Sequence, residues 1–152
     1  MTILDRYKAA VSSFSVAGRM SGAFFLVDDD PDCLKVLTSY TKHAFPHSMI
    51  LSASNVMDAL RVVDQVGAKE LRCAIIDWHL PMGSGATIIE RLHDDDPGLP
   101  ILAYTGDSDA LEVMAERYPY VHRMQKPGWE YVYSSLVGGE MPQELRRVAN
   151  FG

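Results

Sequence analysis

Four short apolar runs in this chain are each followed by a side chain that could hold a cation or a phosphoryl group. These side chains are the consecutive aspartates at 28–30, then Asp77, Thr105 and Lys126. Carboxylates held ~4 Å apart repel by about 4 kcal/mol at an effective dielectric near 20, so a cluster of them favours a bound cation. A hard divalent ion such as Mg²⁺ suits such oxygen ligands and would attract phosphoryl oxygens. Lys126 and Thr105 could hold the same oxygens, while one carboxylate could act as a nucleophile and form an acyl phosphate.

The pattern of apolar residues predicts that these side chains meet. Five apolar runs of strand length alternate with stretches in which apolar residues recur at helical spacing. The runs cover residues 23–27, 48–51, 73–76, 101–104 and 121–124, of which the second and the fifth are weaker. Such alternation is typical of right-handed βαβ units and a parallel sheet covered by helices on both faces. The carboxyl ends of parallel strands share one edge, which is where such sheets bind ligands.

Capping residues predict where several of the helices begin. Asp30 and Pro31 are suited to the N-cap and the first position of the first helix. Asp109 and Glu112 fit a capping box for the fourth helix. The last helix is predicted over about residues 129–137.

Composition and length narrow the class of protein. The chain has 152 residues, a net charge of −6, 47% hydrophobic residues and 22% charged residues, which fits one soluble globular domain and excludes a disordered chain. Its acidic balance argues against nucleic acid as a direct partner. Cys33 and Cys73 form no CxxC pair, so the cytoplasm is the expected location. No apolar run approaches the ~20 residues of a membrane span, so no membrane partner is expected.

The predicted α/β domain covers residues 23–137. Residues 1–22 form an N-terminal extension, and residues 138–152 form a short tail. Apolar residues recur at helical steps in the extension, at Leu4, Tyr7, Val11 and Phe14. This spacing predicts either a disordered leader or an amphipathic helix followed by a Ser- and Gly-rich linker. Such a helix would pack on the domain or on a second copy of the chain, as in a homodimer.

The chain resembles the receiver domains of two-component response regulators. The resemblance covers about residues 23–137 and rests on four motifs in family order, none of which is specific alone. The motifs are Phe25-Leu26-Val27-Asp28-Asp29-Asp30, Ile75-Ile76-Asp77-Trp78-His79-Leu80-Pro81 with Gly85, Ile101-Leu102-Ala103-Tyr104-Thr105-Gly106, and Gln125-Lys126-Pro127. The resemblance implies a doubly wound, five-stranded parallel sheet with the flavodoxin-like strand order 2-1-3-4-5.

The resemblance also implies the roles of the acidic residues. Asp77 corresponds to the phosphoacceptor, and it would contribute to a Mg²⁺ site. Asp28 and Asp29 correspond to the acid pair that holds this ion. His79 corresponds to a residue that ligates the metal through its backbone carbonyl, so its side chain is not required.

Further residues correspond to the family's switch. Thr105 matches the hydroxyl that turns toward the phosphoryl group, and Lys126 matches the lysine that pairs with it. Gly106 stands where a small residue leaves room for that group, and Pro127 matches a proline that often follows a cis bond. The family usually has an aromatic residue three positions before the lysine, but here that position holds Arg123, so the aromatic part of the switch is altered.

The function implied is a phosphorylation-dependent signalling switch of a phosphorelay. A histidine kinase or a histidine phosphotransfer protein would donate the phosphoryl group to Asp77 in a Mg²⁺-dependent reaction. The signal would pass to a downstream protein target through a changed surface over the fourth and fifth helices. The chain would catalyse its own phosphorylation and dephosphorylation without being a turnover enzyme. It could be a stand-alone receiver or a fragment of a longer protein.

Two alternatives remain open on the residues. A phosphatase of the haloacid dehalogenase type would use the Asp-x-Asp pattern of Asp28 and Asp30. That family needs a paired acid after the lysine, whereas only Glu130 and Glu140 occur there, and it leaves Asp77 unexplained. The other alternative is a receiver-like interaction module without phosphorylation, against which the complete set of acids, threonine and lysine argues.

Overall fold

A computed structural model describes residues 21–137, which form a five-stranded parallel sheet between two layers of helices. Strands β1 to β5 are Ala23–Val27, Ile50–Ala53, Leu71–Ile76, Ile101–Thr105 and His122–Gln125. Helices α1 to α5 are Pro31–Ala44, Val56–Val66, Gly85–Asp95, Ser108–Arg117 and Trp129–Val137. A 3₁₀ turn at Ala68–Glu70 precedes β3, and a hairpin of His79–Leu80 and Gly83–Ser84 follows it. The predicted tail and nearly all of the predicted N-terminal extension lie outside the described residues.

The strand order is β2-β1-β3-β4-β5, and every neighbouring pair is parallel. This is the predicted flavodoxin-like order, so the fold class is confirmed. Because β3 lies at the centre with β1 beside it, the residues that follow these two strands are neighbours at one edge of the sheet. Within the described part of the chain, no helix is both long and apolar enough to cross a membrane.

Two hydrophobic cores lie on opposite faces of the sheet. Since successive strand residues face opposite sides, Phe25 and Val27 of β1 join one core while Phe24 and Leu26 join the other. Helices α2, α3 and α4 cover the first core, and α1 and α5 cover the second. Each large apolar side chain buried in this way contributes about 1.5–3 kcal/mol, and the continuous apolar runs are explained by burial on both faces.

The helix starts agree with the sequence prediction in one case and correct it in another. Asp30 is the N-cap of α1, where its side chain accepts a hydrogen bond from the Asp32 N–H at 2.9 Å. The predicted capping box at Asp109 is wrong, because α4 is capped by Asp107, whose side chain accepts from the Ala110 N–H at 3.0 Å. Asp109 lies in the first turn of α4, where a carboxylate interacts favourably with the positive end of the helix dipole.

Candidate functional site

The backbone of the sheet fixes two residues that follow strand ends. The N–H of Asp77 donates to the carbonyl of Val27 at 2.8 Å, so Asp77 is tied to the end of β1. The N–H of Lys126 donates to the carbonyl of Thr105 at 2.8 Å, which ties Lys126 to the end of β4. The hydrogen-bonded ladder therefore continues just past the strands, and it fixes the backbone from which these two side chains extend.

Lys126 joins the two buried carboxylates of this edge. Its Nζ lies 2.7 Å from Oδ2 of Asp28 and 3.3 Å from Oδ2 of Asp77. Asp28 is 1% exposed and Asp77 is 7% exposed. Asp29 is exposed, yet it too offers a carboxylate oxygen within 4.8 Å of those of the other two. The structure thus brings together four residues that the sequence placed in one site.

The donor set of this cluster fits a hard divalent cation. Three carboxylates carry three negative charges, and only one is balanced by the ammonium group of Lys126. Mg²⁺ is bound by carboxylate oxygens and keeps several waters, and the exposed Asp29 borders solvent. Asp28, Asp29 and Asp77 are therefore suited to hold such an ion.

Burial and charge set the protonation of the site. Burial raises the pKa of Asp77 above its usual range, the Lys126 ammonium opposes this, and the nearby Asp28 charge adds to the rise. Burial works to lower the pKa of Lys126, but the hydrogen bond to Asp28 and the surrounding negative charges outweigh it, so the net pKa is raised and the ammonium is kept. Burial, followed by a hydrogen bond to Asp28, raises the pKa of Cys33, so its thiol stays neutral.

Thr105 and Gly106 lie where β4 ends. Thr105 is 1% exposed, and its Oγ1 accepts a hydrogen bond from the Asp107 N–H at 3.3 Å. At Gly106 a Cβ atom would have no neighbour within 4 Å, so the space beside this residue is open. The end of β4 thus combines a buried hydroxyl with open space at the next residue.

Gly85 allows α3 to begin against the backbone of Asp77. A Cβ at position 85 would clash with the carbonyl oxygen of Asp77, so no residue with a side chain fits there. The Gly85 N–H donates to the Trp78 carbonyl at 2.7 Å. The glycine is thus needed for close approach, which the sequence motif alone did not explain.

The side chain of His79 has a partner that the sequence did not predict. Its Nε2 lies 2.6 Å from Oδ2 of Asp107. Hydrogen bonding to His79, and then to the backbone of Ala110, lowers the pKa of Asp107. The contact links the loop after β3 to the loop after β4, the two loops that flank Asp77 and Thr105.

The last two predicted positions lie on or after β5. Arg123 is half-buried, and its Nη1 donates to the Val121 carbonyl at 2.9 Å. This side chain therefore contacts the backbone just before β5, whereas Asp28 and Asp77 each form an ion pair with Lys126. The Lys126–Pro127 peptide bond is cis, and Pro127 is exposed.

Tyr104 is a residue whose environment the sequence did not reveal. Its side chain is 1% exposed, and its hydroxyl accepts a hydrogen bond from the Gly128 N–H at 2.9 Å. Its ring centroid lies 5.5 Å from Nζ of Lys126. The only signal in the sequence was an aromatic residue directly before Thr105.

Asp30 caps a helix and is not one of the three clustered carboxylates. It is exposed, and its Oδ1 is engaged with the Asp32 N–H as the cap of α1. Lys126 contacts Asp28 and Asp77. Since the phosphatase alternative depends on Asp28 and Asp30 acting together, this arrangement disfavours it.

The amino-acid sequence matches a known family model. A family model described as the response regulator receiver domain matches residues 24–122. Among curated proteins, no match was found.

Three solved structures illustrate the similarity of fold. A signal receiver domain of an HD domain-containing protein from Pseudomonas fluorescens has a TM-score of 0.64 and 24% identity, with 76% of this chain and 90% of that chain covered. A response regulator receiver domain protein from Clostridium thermocellum has a TM-score of 0.63 and 16% identity, with 85% and 94% covered. The chemotaxis protein CheY4 of Vibrio cholerae has a TM-score of 0.61 and 16% identity, with 84% and 98% covered. At these identities the likeness is one of fold.

Proposed function

The chain belongs to the response regulator receiver domain family, and we propose that it is a signalling switch in which Asp77 accepts a phosphoryl group. The observation that carries the proposal is the contact of the Lys126 ammonium with Asp28 at 2.7 Å and with Asp77 at 3.3 Å. Asp77 is the carboxylate held directly at the end of the central β3, and Asp28 is paired more tightly with the lysine. Asp77 is therefore the better placed of the two to act as the nucleophile.

The proposed reaction is a transfer to oxygen. A carboxylate oxygen of Asp77 attacks phosphorus, and the bond from phosphorus to a histidine nitrogen of the donor breaks. The nitrogen leaves with the electron pair of that bond, and an acyl phosphate remains on Asp77. The donor is a histidine kinase or a histidine phosphotransfer protein, and a downstream protein in the cytoplasm reads the result.

The residues around Asp77 each have a part in this transfer. Asp28, Asp29 and Asp77, with the backbone carbonyl of His79, would hold Mg²⁺, which when bound neutralises charge on the transferred group. Lys126 supplies a fixed positive charge for the phosphoryl oxygens. The open position beside Gly106 admits the donor.

Thr105 and Lys126 are the proposed switch. Before phosphorylation, the Thr105 hydroxyl accepts a long 3.3 Å hydrogen bond from the Asp107 N–H. A phosphoryl group on Asp77 offers a charged acceptor to this hydroxyl and to the ammonium group. Hydrogen bonds to charged groups are worth about 1.5–3 kcal/mol each. Two of them supply much of the about 5.5 kcal/mol that shifts a two-state equilibrium from 1:99 to 99:1.

Labelling with a small phosphodonor tests this function. We expect ³²P-labelled acetyl phosphate with Mg²⁺ to label the full chain, and we expect Asp77→Asn to abolish the label because the nucleophilic oxygen is lost. Asp30→Asn is the matched control, since it changes an acid in the same triplet that caps α1, and it should keep the label. When EDTA chelates the Mg²⁺ before acetyl phosphate is added, the label should not form.

The outcomes separate the alternatives. A label that persists in Asp77→Asn would show that another residue is the acceptor. Loss of the label in Asp30→Asn, together with multiple turnovers of a phosphate monoester, would favour the phosphatase. If the folded wild-type protein is not labelled and does not bind Mg²⁺, the result would favour the alternative of an interaction module without phosphorylation.

A further inference from the structure

A buried tyrosine connects the proposed switch strand to the last helix. Tyr104 directly precedes Thr105 in β4, and its hydroxyl accepts a hydrogen bond from the N–H of Gly128, 24 residues further along the chain. The ring of the same tyrosine lies 5.5 Å from Nζ of Lys126. One rigid side chain therefore touches the lysine of the site and the backbone just before α5.

Gly128 is the residue on which α5 begins. Its carbonyl accepts hydrogen bonds from the N–H groups of Tyr131 at 3.0 Å and of Val132 at 2.9 Å. These are bonds of the first turn of α5. A group that holds the Gly128 N–H therefore holds the end of the helix, and a helix moves as a unit when its end is displaced.

Tyr104 is packed so closely that a displacement of Lys126 should be passed on to Gly128. Its side chain packs in the core that lies under α1 and α5, with Met124 of β5 and Val132 of α5. Close packing in such a core transmits small displacements instead of absorbing them. A buried N–H that loses its partner is costly, so Gly128 should follow the tyrosine hydroxyl when that hydroxyl moves.

Arg123 does not offer an equivalent route. It is half-buried, and its guanidinium donates to the Val121 carbonyl two residues earlier in the chain. That contact stays at the start of β5 and does not reach Lys126 or α5. Tyr104, and not Arg123, therefore contacts both Lys126 and the start of α5.

We propose that Tyr104 is a positioning residue that couples the phosphorylation site to α5 through its hydrogen bond to Gly128. The inference rests on the proposed function, because it assigns the path by which that site acts. When Lys126 turns toward a phosphoryl group on Asp77, its contact with the Tyr104 ring changes. The ring carries the hydroxyl with it, and the Gly128 N–H and the first turn of α5 respond.

The test measures backbone amides of the full chain by NMR with beryllofluoride, a phosphoryl mimic, at saturation in the presence of Mg²⁺. In the wild-type protein we expect the amide resonances of Gly128, Tyr131 and Val132 to shift when the mimic is added. Tyr104→Phe keeps the ring and removes the hydroxyl, so it should lose most of these shifts. Saturation ensures that a changed affinity for the mimic does not produce the loss.

A matched variant separates coupling from a general effect of losing a buried hydroxyl. Tyr118 is 5% exposed, and its hydroxyl donates to Glu90 at 2.5 Å, away from α5. Tyr118→Phe should keep the wild-type shifts at Gly128 and α5. If it loses them to the same extent as Tyr104→Phe, the hydroxyl of Tyr104 has no special part and the proposal is overturned.

The remaining outcomes also decide the proposal. Wild-type shifts at α5 in saturated Tyr104→Phe would overturn it. Shifts around Asp77 without any at Gly128 in the wild-type protein would overturn it as well, and this result needs no variant to fold. If beryllofluoride shifts no amide around Asp77 in the wild-type protein, the proposed function itself fails, which is a different result.

Discussion

At the scale of single residues, the charge on Asp77 opposes folding. Burial raises the pKa of this carboxyl, and the charge of Asp28 raises it further. Between the unfolded and the folded pKa, the folded protein binds the proton that the unfolded chain has released. The free energy of unfolding therefore falls as pH rises through that window, and the cost is fully present above the folded pKa.

Replacing this charge should stabilise the protein. We expect Asp77→Asn to raise the free energy of unfolding by about 0.5–2 kcal/mol at pH 7 in metal-free buffer, which is the usual range for a single stabilising substitution. Lys126 keeps its partner, because Asp28 lies 2.7 Å from it. Urea denaturation followed by circular dichroism measures the change.

The control and the pH dependence make this prediction specific. Asp94→Asn removes one negative charge at an exposed position and should change stability little. The gain from Asp77→Asn should shrink as pH falls and the wild-type carboxyl takes up its proton. A destabilised Asp77→Asn protein at pH 7 would mean that the 3.3 Å contact with Lys126 outweighs the cost of burial.

At the scale of elements, α4 depends on one side chain at its start. Asp107 accepts a hydrogen bond from the Ala110 N–H at 3.0 Å and contacts His79 at 2.6 Å. Its lowered pKa, caused first by His79 and then by the Ala110 N–H, means that this stabilisation is present above the unfolded pKa. It is lost as pH falls through the folded pKa.

Substitutions at Asp107 should separate capping from charge. Asp107→Ala removes the cap and should lower the urea midpoint at neutral pH, and the difference from wild type should fade in acid. Asp107→Asn keeps an oxygen that caps about as well as aspartate, so its midpoint should lie closer to that of wild type. Equal losses in the two variants would assign the effect to the contact with His79 instead of to the cap.

Patterns within one element, with the rule for strand ends, predicted most of the fold and the site. Five strands and five helices followed from periodicity. The meeting of Asp28, Asp77 and Lys126 followed from the shared edge of a parallel sheet, and the structure confirms that they lie together. These features can be predicted because they depend on patterns within short segments and because the rules for connecting parallel strands allow few topologies.

Sequence patterns missed two kinds of feature. The first depends on which of several similar neighbouring residues bounds a strand or caps a helix, and the second on contacts between residues far apart in the chain. Strand β2 lies at Ile50–Ala53, two residues later than predicted, because an edge strand pairs on one side and its register is weakly marked. Two aspartates near the start of α4 fit an N-cap, and only the short turn after Thr105 selects Asp107. The hydrogen bond from Gly128 to Tyr104 requires β4 and β5 to be neighbours, which no local pattern shows.

At the scale of the whole molecule, the acidic cluster should link stability to divalent cations. Three carboxylates meet there with one ammonium, so we expect the folded protein to offer a cation site that the unfolded chain lacks. An ion that binds only the folded state adds about 2.7 kcal/mol to the free energy of unfolding when its free concentration is 100 times its dissociation constant. We therefore expect the thermal midpoint of the wild-type chain to rise with Mg²⁺ concentration.

Matched ionic strength and two variants identify the site of this effect. The molecule carries a net charge of −6, so any salt screens some of its self-repulsion, and NaCl of equal ionic strength is the reference. Asp28→Asn should lose the gain specific to Mg²⁺, because it removes the charge and one oxygen of a buried carboxylate of the cluster. Asp94→Asn, at an exposed position of the second acidic triplet, should keep that gain. If both variants and NaCl reproduce the wild-type rise, the cation acts on the net charge of the molecule and not on the edge of the sheet, and the magnesium part of the proposed switch is wrong.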